Sequence, residues 1–416
     1  MNNAVDNKNN PVPASEGSGN ATQEGKLYRK PHTTSTAACT LEQVLDPENI
    51  DRARWNVYSN AGRMKNRKLA EQIQTECKQW NADKWCCQIR HSEYLPKPYT
   101  ECIIPKDNGG VRKLNIQGTT DRIISQSIRQ VIEPVCESSI FEDSSYAYRP
   151  NRSIADILRE IEANRSSGVE YIVRMDLNKF FDSIDHAVLM QELRKLHADP
   201  ELVKLLKTII RKSSVREYGS RMITPVRVGI PQGGILSPLL ANLYGSIMDR
   251  EMRSYKEKYM RYADDLIILC ASMDDCDKVI RCVQRAADKM KVKINMDKTF
   301  IGRITETTVF SIGFSENGMY VPERHFKRWW HNKALDNDNI QEAFEGLLAH
   351  YINISPTVVL HKQSVETIES VIRRQNYADS GNLFCGLEKA MERATDKLIR
   401  SQIITDVHTS GSGQVA

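Results

Sequence analysis

The sequence predicts an α+β core followed by a helical C-terminal unit, and three features carry that expectation. Tyr171-Ile172-Val173-Arg174-Met175-Asp176 is a short apolar run that ends in an acid. Arg261-Tyr262-Ala263-Asp264-Asp265-Leu266-Ile267-Ile268-Leu269 sets two adjacent acids between apolar stretches, the pattern of a turn with strands on either side. Around these runs, apolar residues recur at helical spacing, so strands and helices alternate.

Along the chain, residues 1–36 are rich in Asn, Ser, Gly, Thr and Pro, have almost nothing apolar to bury, and read as a disordered lead-in. Residues 61–81 suit a helix. Thr119–Glu137 reads as another, with Ile123, Ile124, Ile128, Val131, Ile132 and Val135 on one face and Pro134 near its end. His186–Leu196 and Asp199–Lys212 look helical. Pro238–Tyr255 is a longer helix in which Ser237 is expected to cap the N-terminus and Pro238 to take the first helical position. Lys258–Met260 leads into the acidic turn, Asp275–Lys291 is helical, and short strands are expected near Lys293–Asn295 and over Thr308–Ser315. From Glu323 to Arg400 the pattern returns to helices, and His408–Ala416 reads as tail.

The 416 residues carry 58 Lys+Arg against 53 Asp+Glu, a net charge of +5 that is too mild to identify a partner by itself. Its distribution says more. Arg52, Arg54, Arg63, Lys65, Arg67 and Lys68 fall in a segment, 52–68, that contains no acid and interleaves Trp55 and Tyr58. Clustered cations neutralise phosphates and aromatics stack on bases, although a solvated helix face would read the same. No apolar run has the roughly 18 residues of a membrane helix, and the first residues lack the basic start and apolar stretch of a leader. The ten cysteines have no disulfide rhythm, so a reducing cytoplasm and no membrane partner are expected. Cys86-Cys87 with His91, and Cys270, Cys276 and Cys282, make no paired zinc pattern and read as buried structural thiols.

The chemistry centres on acids. Asp264 and Asp265 side by side repel, and such a pair at the end of buried strands needs a compensating cation. Magnesium, which prefers carboxylates and substrate phosphates, is the natural one. A solvated Asp-Asp loop is the plain alternative. Asp176 ends a second apolar strand, and two strand-end acid sites can meet around two ions roughly 3.5–4 Å apart, the clamp used in nucleotidyl transfer.

The runs around these acids resemble the motif blocks of group II intron reverse transcriptases. Asp176-Leu177-Asn178-Lys179-Phe180-Phe181-Asp182-Ser183-Ile184-Asp185-His186 resembles the first catalytic block, and Tyr262-Ala263-Asp264-Asp265 the second. Gly229-Ile230-Pro231-Gln232-Gly233-Gly234-Ile235-Leu236-Ser237-Pro238 is similar to their nucleotide-pocket block. Upstream, Ile104-Pro105-Lys106-Asp107 with Arg112-Lys113-Leu114, Asp121-Arg122, and Asp143-Ser144-Ser145-Tyr146-Ala147-Tyr148-Arg149-Pro150 resemble the fingers blocks in the same order. The likeness covers about residues 75–325, and the ordered set leaves little room for coincidence.

The resemblance implies a right-hand polymerase that copies RNA into cDNA from deoxynucleotides. Its units would be an N-terminal extension with fingers over 37–170, a palm over 171–322, a helical thumb over 323–405 and a tail over 406–416. Asp176 and Asp264 would hold two Mg2+ ions, with Asp265 nearby and the Leu177 carbonyl as a further ligand. Lys106 and Arg112 would grip the triphosphate, Gln232 would line the nucleotide pocket, and Lys298 would neutralise or protonate the leaving group, unless it is a plain surface lysine. Gly313 and Phe314 would belong to the primer grip. Phe181 would stand beneath the sugar and exclude a 2′ hydroxyl, provided that it and not Phe180 faces the pocket. A viral RNA-copying RNA polymerase would more typically carry Gly-Asp-Asp at the turn. Beyond the catalytic core, no endonuclease-type His/Cys cluster is evident and the nucleotide-pocket block departs from that of diversity-generating retroelements. A stand-alone enzyme is therefore expected, copying a cognate structured non-coding RNA in antiphage defence, with Arg63, Lys65 and Arg67 holding that RNA. An intron-encoded enzyme acting in splicing and mobility, and a catalytically silent RNA-binding protein, are the alternatives.

Overall fold

The computed structural model describes residues 39–322 except 65, 106–109, 256–257 and 317, together with Ile354. The expected lead-in, thumb and C-terminal tail lie outside the described residues. The chain opens with helices α1 (Leu41–Leu45), α2 (Pro47–Ala61), α3 (Arg67–Lys78) and α4 (Ala82–Arg90), followed by the hairpin strands β1 (Tyr99–Pro105) and β2 (Val111–Ile116). Helices α5 (Thr119–Ser139) and α6 (Ile154–Ser166) precede β3 (Tyr171–Asp176), the one-turn α7 (Phe180–Ser183), α8 (His186–Leu193) and α9 (Pro200–Arg211). Next come β4 (Ser214–Arg216), β5 (Ile223–Pro225), α10 (Ser237–Glu251), β6 (Tyr259–Tyr262), β7 (Asp265–Cys270) and α11 (Met273–Lys289). Strands β8 (Phe300–Arg303), β9 (Thr308–Val309), β10 (Ile312–Ser315) and β11 (Gly318–Tyr320) follow.

The α+β expectation holds. The central sheet has the order β6-β7-β3-β8, antiparallel throughout. Because side chains alternate along a strand, β3 and β7 divide their apolar residues between two cores. Val173, Met175, Leu266 and Ile268 face the larger core with α8, α9, α10 and α11. Ile172, Ile267 and Leu269 face a second core filled by α6 and the β9–β11 sheet, to which Ile354 also contributes. Both faces of β3 are covered, and for that reason its sequence reads as a nearly continuous apolar run. A separate sheet, β2-β1-β4-β5, is assembled from segments about a hundred residues apart, and α2 and α3 pack through their own core onto Ile123 of α5. None of the described helices is long and apolar enough to cross a membrane.

Several boundaries differ from the expectation for local reasons. The helix expected over 61–81 is shorter, Arg67–Lys78: Ala61 is the last residue of α2, Gly62 ends that helix, and the Asn66 side chain accepts from Leu69 N to start α3. Ser237 does not cap α10: its hydroxyl donates to the Pro231 carbonyl at 2.7 Å, and the cap position belongs to Leu236. Lys293–Asn295 forms only an isolated bridge, Ile294 to Leu177. Thr308–Ser315 is two strands joined by Phe310 and Ser311, both at positive φ. Cys87 is exposed, unlike the buried Cys86, Cys270, Cys276 and Cys282, so it is not a structural thiol of the core.

The deepest polar feature lies under the β6–β7 turn. Arg261 is fully buried and forms a two-pronged ion pair with Asp249 of α10, Nε to Oδ1 at 2.7 Å and Nη2 to Oδ2 at 2.6 Å. Nη1 donates to Asn242 Oδ1 and to the Ala263 carbonyl, and Nη2 also donates to Ser145 Oγ, so all five N–H groups have an acceptor. Gly245 admits the guanidinium, since a Cβ there would sit 2.6 Å from its Cζ. Asp249→Ala strands a buried guanidinium and should cost about 3–5 kcal/mol by denaturant unfolding. Pairing it with Arg261→Met should recover much of that loss, because the uncompensated charge is then gone. Equal losses in the single and double variants would contradict this account.

Candidate active site

The two strand ends that carry the acids are hydrogen-bonded neighbours. Asp176, the last residue of β3, is the cross-strand partner of Asp265, the first of β7. Between β6 and β7 the chain reverses in two residues, Ala263 and Asp264, and Ala263 takes a positive φ of 59° that only glycine adopts freely. Past its end, β3 stays attached to the turn, with Leu177 N donating to the Asp264 carbonyl at 3.0 Å. The carboxylate of Asp176 is buried and occupied: Lys298 Nζ reaches Oδ1 at 3.0 Å and Asn295 Nδ2 reaches Oδ2 at 3.1 Å. Asn295 N also donates to the Asp176 carbonyl at 2.7 Å.

Electrostatics at this corner are dominated by burial and like charge. Burial raises the pKa of Asp264, Asp176 adds to the rise, and Lys298 and Arg112 oppose it. Burial pushes Asp265 up to about 6, with Asp264 and Asp176 adding and Arg174 and Lys298 opposing. Arg174 lies two residues before Asp176 on the same face of β3, and its Nη1 is anchored by Thr307 Oγ1 at 2.9 Å and by the Thr308 carbonyl. Lys298 is held protonated by its hydrogen bond to Asp176.

Three acids at adjoining strand ends, two of them made harder to ionise by burial and like charge, suit a divalent hard cation completed by ligand oxygens. Among the described residues no three acids, cysteines or histidines are gathered closely enough to hold a metal ion by themselves. Magnesium does not require such a cluster, because it keeps water and substrate phosphate oxygens among its ligands. Asp176, Asp264 and Asp265, with the Leu177 carbonyl, are the residues that could hold it.

The nucleotide-side residues approach the same corner. Phe180 is buried, whereas Phe181 is half-buried and stands edge-on to the exposed Tyr148, with ring centroids 6.4 Å apart. Of the two phenylalanines, only Phe181 is therefore open to a ligand. The Gln232 carbonyl accepts from Asn115 N at 2.7 Å, which docks the Gln232-Gly233-Gly234 loop on β2, the strand that carries Arg112. Gly233 has φ +118° and a Cβ there would lie 2.5 Å from the Asn115 carbonyl oxygen, so no other residue fits. Arg112 is exposed and close enough to act on Asp264. Lys106 lies outside the described residues.

On the opposite side, the β9–β10 hairpin touches the acidic turn through Tyr262 and Phe310, whose rings are 5.2 Å apart. Gly313 pairs with Tyr320, whose ring would be 2.5 Å from a Cβ at this position, and Phe314 is buried in the second core. A cavity of about 510 Å³ opens beside Lys298, lined by Arg174, Thr307 and Tyr320 among others. Arg63 and Arg67 are not at this corner; they flank the break between α2 and α3, and Lys65 between them is outside the described residues.

The profile of the reverse transcriptase family, RNA-dependent DNA polymerase, matches residues 104–322. The chain belongs to this family. It is 26% identical over 262 residues to protein YkfC of Escherichia coli K12, covering 54% of this chain and 68% of that protein. It is 28% identical over 225 residues to the group II intron-encoded protein LtrA of Lactococcus lactis, covering 54% of this chain and 37% of that protein. The match to the putative COX1/OXI3 intron 1 protein of Saccharomyces cerevisiae is 23% over 273 residues, 53% of this chain and 32% of that one. The chain thus spans about a third of the length of those two intron proteins. Among solved structures, apo telomerase from Candida tropicalis, truncated from its C-terminal domain, aligns at 16% identity with a TM-score of 0.43, over 54% of this chain and 53% of that chain. The mixed α+β architecture with antiparallel sheets agrees with the right-hand polymerase class that the motif blocks imply.

Some residues of this reverse transcriptase site were not foreseen. Arg174 had a visible signal, a cation inside an otherwise apolar strand. Asn295 and Asp249 had none, because each acts through a contact made over a long sequence separation. The acids give a prediction with a definite sign. Asp265 binds its proton more tightly when folded, at about 6, than in an unfolded chain, at about 3.9. Its contribution is therefore intact below about pH 4 and lost as pH rises through 6. In magnesium-free buffer, Asp265→Asn should be more stable than wild type above pH 6 by roughly 1–2 kcal/mol and no more stable below pH 4. Thermal melting across this range checks it; a constant difference at every pH would be the wrong outcome.

Proposed function

We propose that this chain is an RNA-directed DNA polymerase, joining a primer 3′ hydroxyl to the α-phosphorus of a deoxynucleotide with release of pyrophosphate. The observation that carries the reading is the pairing of Asp176 with Asp265 beside the Asp264 turn, within a chain of the reverse transcriptase family. Asp176, Asp264, Asp265 and the Leu177 carbonyl would hold two magnesium ions. Such ions, when bound, stabilise charge on the attacking and leaving oxygens of an in-line displacement.

The remaining roles belong to the protein's own groups. Arg112, with Lys106, orients the triphosphate from the β1–β2 side, where a guanidinium supplies both charge and direction. Gln232 lines the base and sugar pocket on a loop that Gly233 lets approach closely. Phe181 closes the space that a 2′ hydroxyl would need. Lys298 stays protonated beside Asp176, which suits a group that neutralises or protonates departing pyrophosphate. Gly313 and Phe314 form the primer grip, with the buried Phe314 ring holding the hairpin in place. In this reading residues 37–170 include the fingers, 171–322 the palm and 323–405 the thumb.

We further propose that the template is a cognate structured RNA, gripped in part by Arg63, Lys65 and Arg67, and that the enzyme works in the cytoplasm. Trp55 in the same segment is 65% exposed and stacked on Tyr58 at 5.5 Å, a surface suited to an unpaired base. The RNA is either an intron, as the names of the relatives suggest, or a dedicated non-coding RNA of an antiphage system. RNA recovered with the protein from its host separates the two by whether it self-splices.

Given magnesium, an RNA template and deoxynucleotides, the purified protein should synthesise DNA. Asp176→Asn and Asp264→Asn should reduce synthesis to background without lowering the melting temperature. Synthesis that persists when Asp264 and Asp265 are both replaced would end the assignment, and a silent wild type with bound RNA would favour the RNA-binding class. Separately, Arg63→Glu with Arg67→Glu should weaken RNA binding and make it less salt-dependent. Each lost phosphate contact lowers the slope of log K against log salt by about 0.7–0.9.

A further inference from the structure

Tyr148 occupies a position that its own backbone preference does not explain. It sits in the left-handed region at φ +60°, where a bulky L residue is rarely found. Its neighbours hold it there. The Asn242 amide donates to the Ala147 carbonyl at 2.6 Å. The Arg149 guanidinium donates to the Ser145 carbonyl at 2.8 Å and grips Glu137 with two nitrogens. Despite this clamped backbone the Tyr148 ring is 45% exposed, so it is not there to fill a core.

What the ring touches is Phe181. The two meet edge to face, at 6.4 Å between centroids and 82° between planes. Phe181 has a second aromatic neighbour, Phe180 at 6.0 Å and 78°, and Phe180 in turn lies 6.2 Å from Tyr244. Phe181 therefore stands in a row of rings that begins in the core and ends at Tyr148. Its backbone is fixed, since the Phe181 carbonyl accepts from Ile230 N at 2.9 Å, but α7 is a single four-residue turn, so the placing of the ring is left to its side-chain neighbours. Burial raises the pKa of the Tyr148 phenol, and the charges of Asp264 and Arg112 both reach it.

We infer that Tyr148 is a positioning residue for sugar selection: its ring braces Phe181 from the open side and fixes the wall that excludes a 2′ hydroxyl. This rests on the reverse transcriptase reading and deepens it. Without the brace, Phe181 can swing towards the space Tyr148 leaves, and the pocket widens at the 2′ position while the acids stay as they are. The phenol oxygen is not required, since the contact is made by the ring.

The test is single-nucleotide incorporation by the full chain on an RNA template with a DNA primer, comparing kcat/KM for dATP and for ATP. Tyr148→Ala should lower the dATP preference roughly two- to tenfold, the range expected for losing one aromatic pair. Tyr148→Phe should keep the wild-type preference. Tyr148→Gly, which accepts the left-handed backbone without strain, should reproduce the alanine result and covers the case in which alanine disturbs folding. On a Phe181→Ala background, Tyr148→Ala should cause no further fall. The inference is overturned if Tyr148→Ala and Tyr148→Gly keep the wild-type preference, if Tyr148→Phe loses it as alanine does, or if the Tyr148 and Phe181 losses multiply. Incorporation of dATP by wild type tests the polymerase reading itself, whereas the ratios among active variants test only the brace.

Discussion

A single buried guanidinium organises the acidic corner. Arg261 spends its donors on four partners from separate places in the chain: Asp249 and Asn242 on α10, Ser145 in the loop before α6, and the Ala263 carbonyl in the turn. The backbone repeats the connection, since Arg261 N donates to the Ser144 carbonyl and Tyr146 N to the Arg261 carbonyl. The edge of β6 is thereby covered, and a two-residue turn with an unfavourable φ at Ala263 has one place to sit. An ion pair at this depth is a poor source of net stability compared with well-packed apolar groups. Apolar replacements, however, would leave the Ser145 hydroxyl, the Asn242 amide and the Ala263 carbonyl without this partner. Its value here lies in where it puts the turn.

Around that turn the protein tolerates an arrangement that folding alone would avoid. Asp264 and Asp265 are half-buried beside the buried Asp176, and burial and neighbouring negative charge make both of them harder to ionise. The cations that answer them come from elements on different sides: Lys298 after α11, Arg174 within β3 and Arg112 on β2. Lys298 bonds Asp176 directly, and Arg174 and Arg112 act on Asp265 and Asp264 through their charge. Such a balance suits a site meant to receive charge from a ligand rather than to satisfy itself.

Legibility in the sequence followed the range of the interaction. Strand β3 and the β6–β7 turn were readable because burial on both faces and a pair of acids leave a local trace in Tyr171–Asp176 and Tyr262–Asp265. Helix α5 was readable for the same reason, from the spacing of Ile123, Ile124, Ile128 and Ile132. The short strands β4 and β5 carry no apolar run of their own; pairing with β1 makes β4 a strand, and pairing with β4 makes β5 one. At Ser237 a local rule, serine before proline at a helix start, loses to a hydrogen bond to the carbonyl six residues back. The choice between Phe180 and Phe181 depended on which ring the core had already taken, information that resides in Tyr244 and Tyr148 and not in the pair itself.

The strand order of the central sheet also bears on how the chain comes off the ribosome. Strand β3 sits between β7 and β8, and both are made after it. At synthesis rates of about 5–20 residues per second, roughly 6–25 seconds separate Asp176 from the end of β8 at Arg303. Until Cys270 completes β7 the nascent chain displays an apolar strand with two open edges, and one edge stays open until β8 is made, the kind of segment that pairs with whatever is nearest. Synthesis of residues 177–303 is therefore the stretch in which β3 is most open to mispairing.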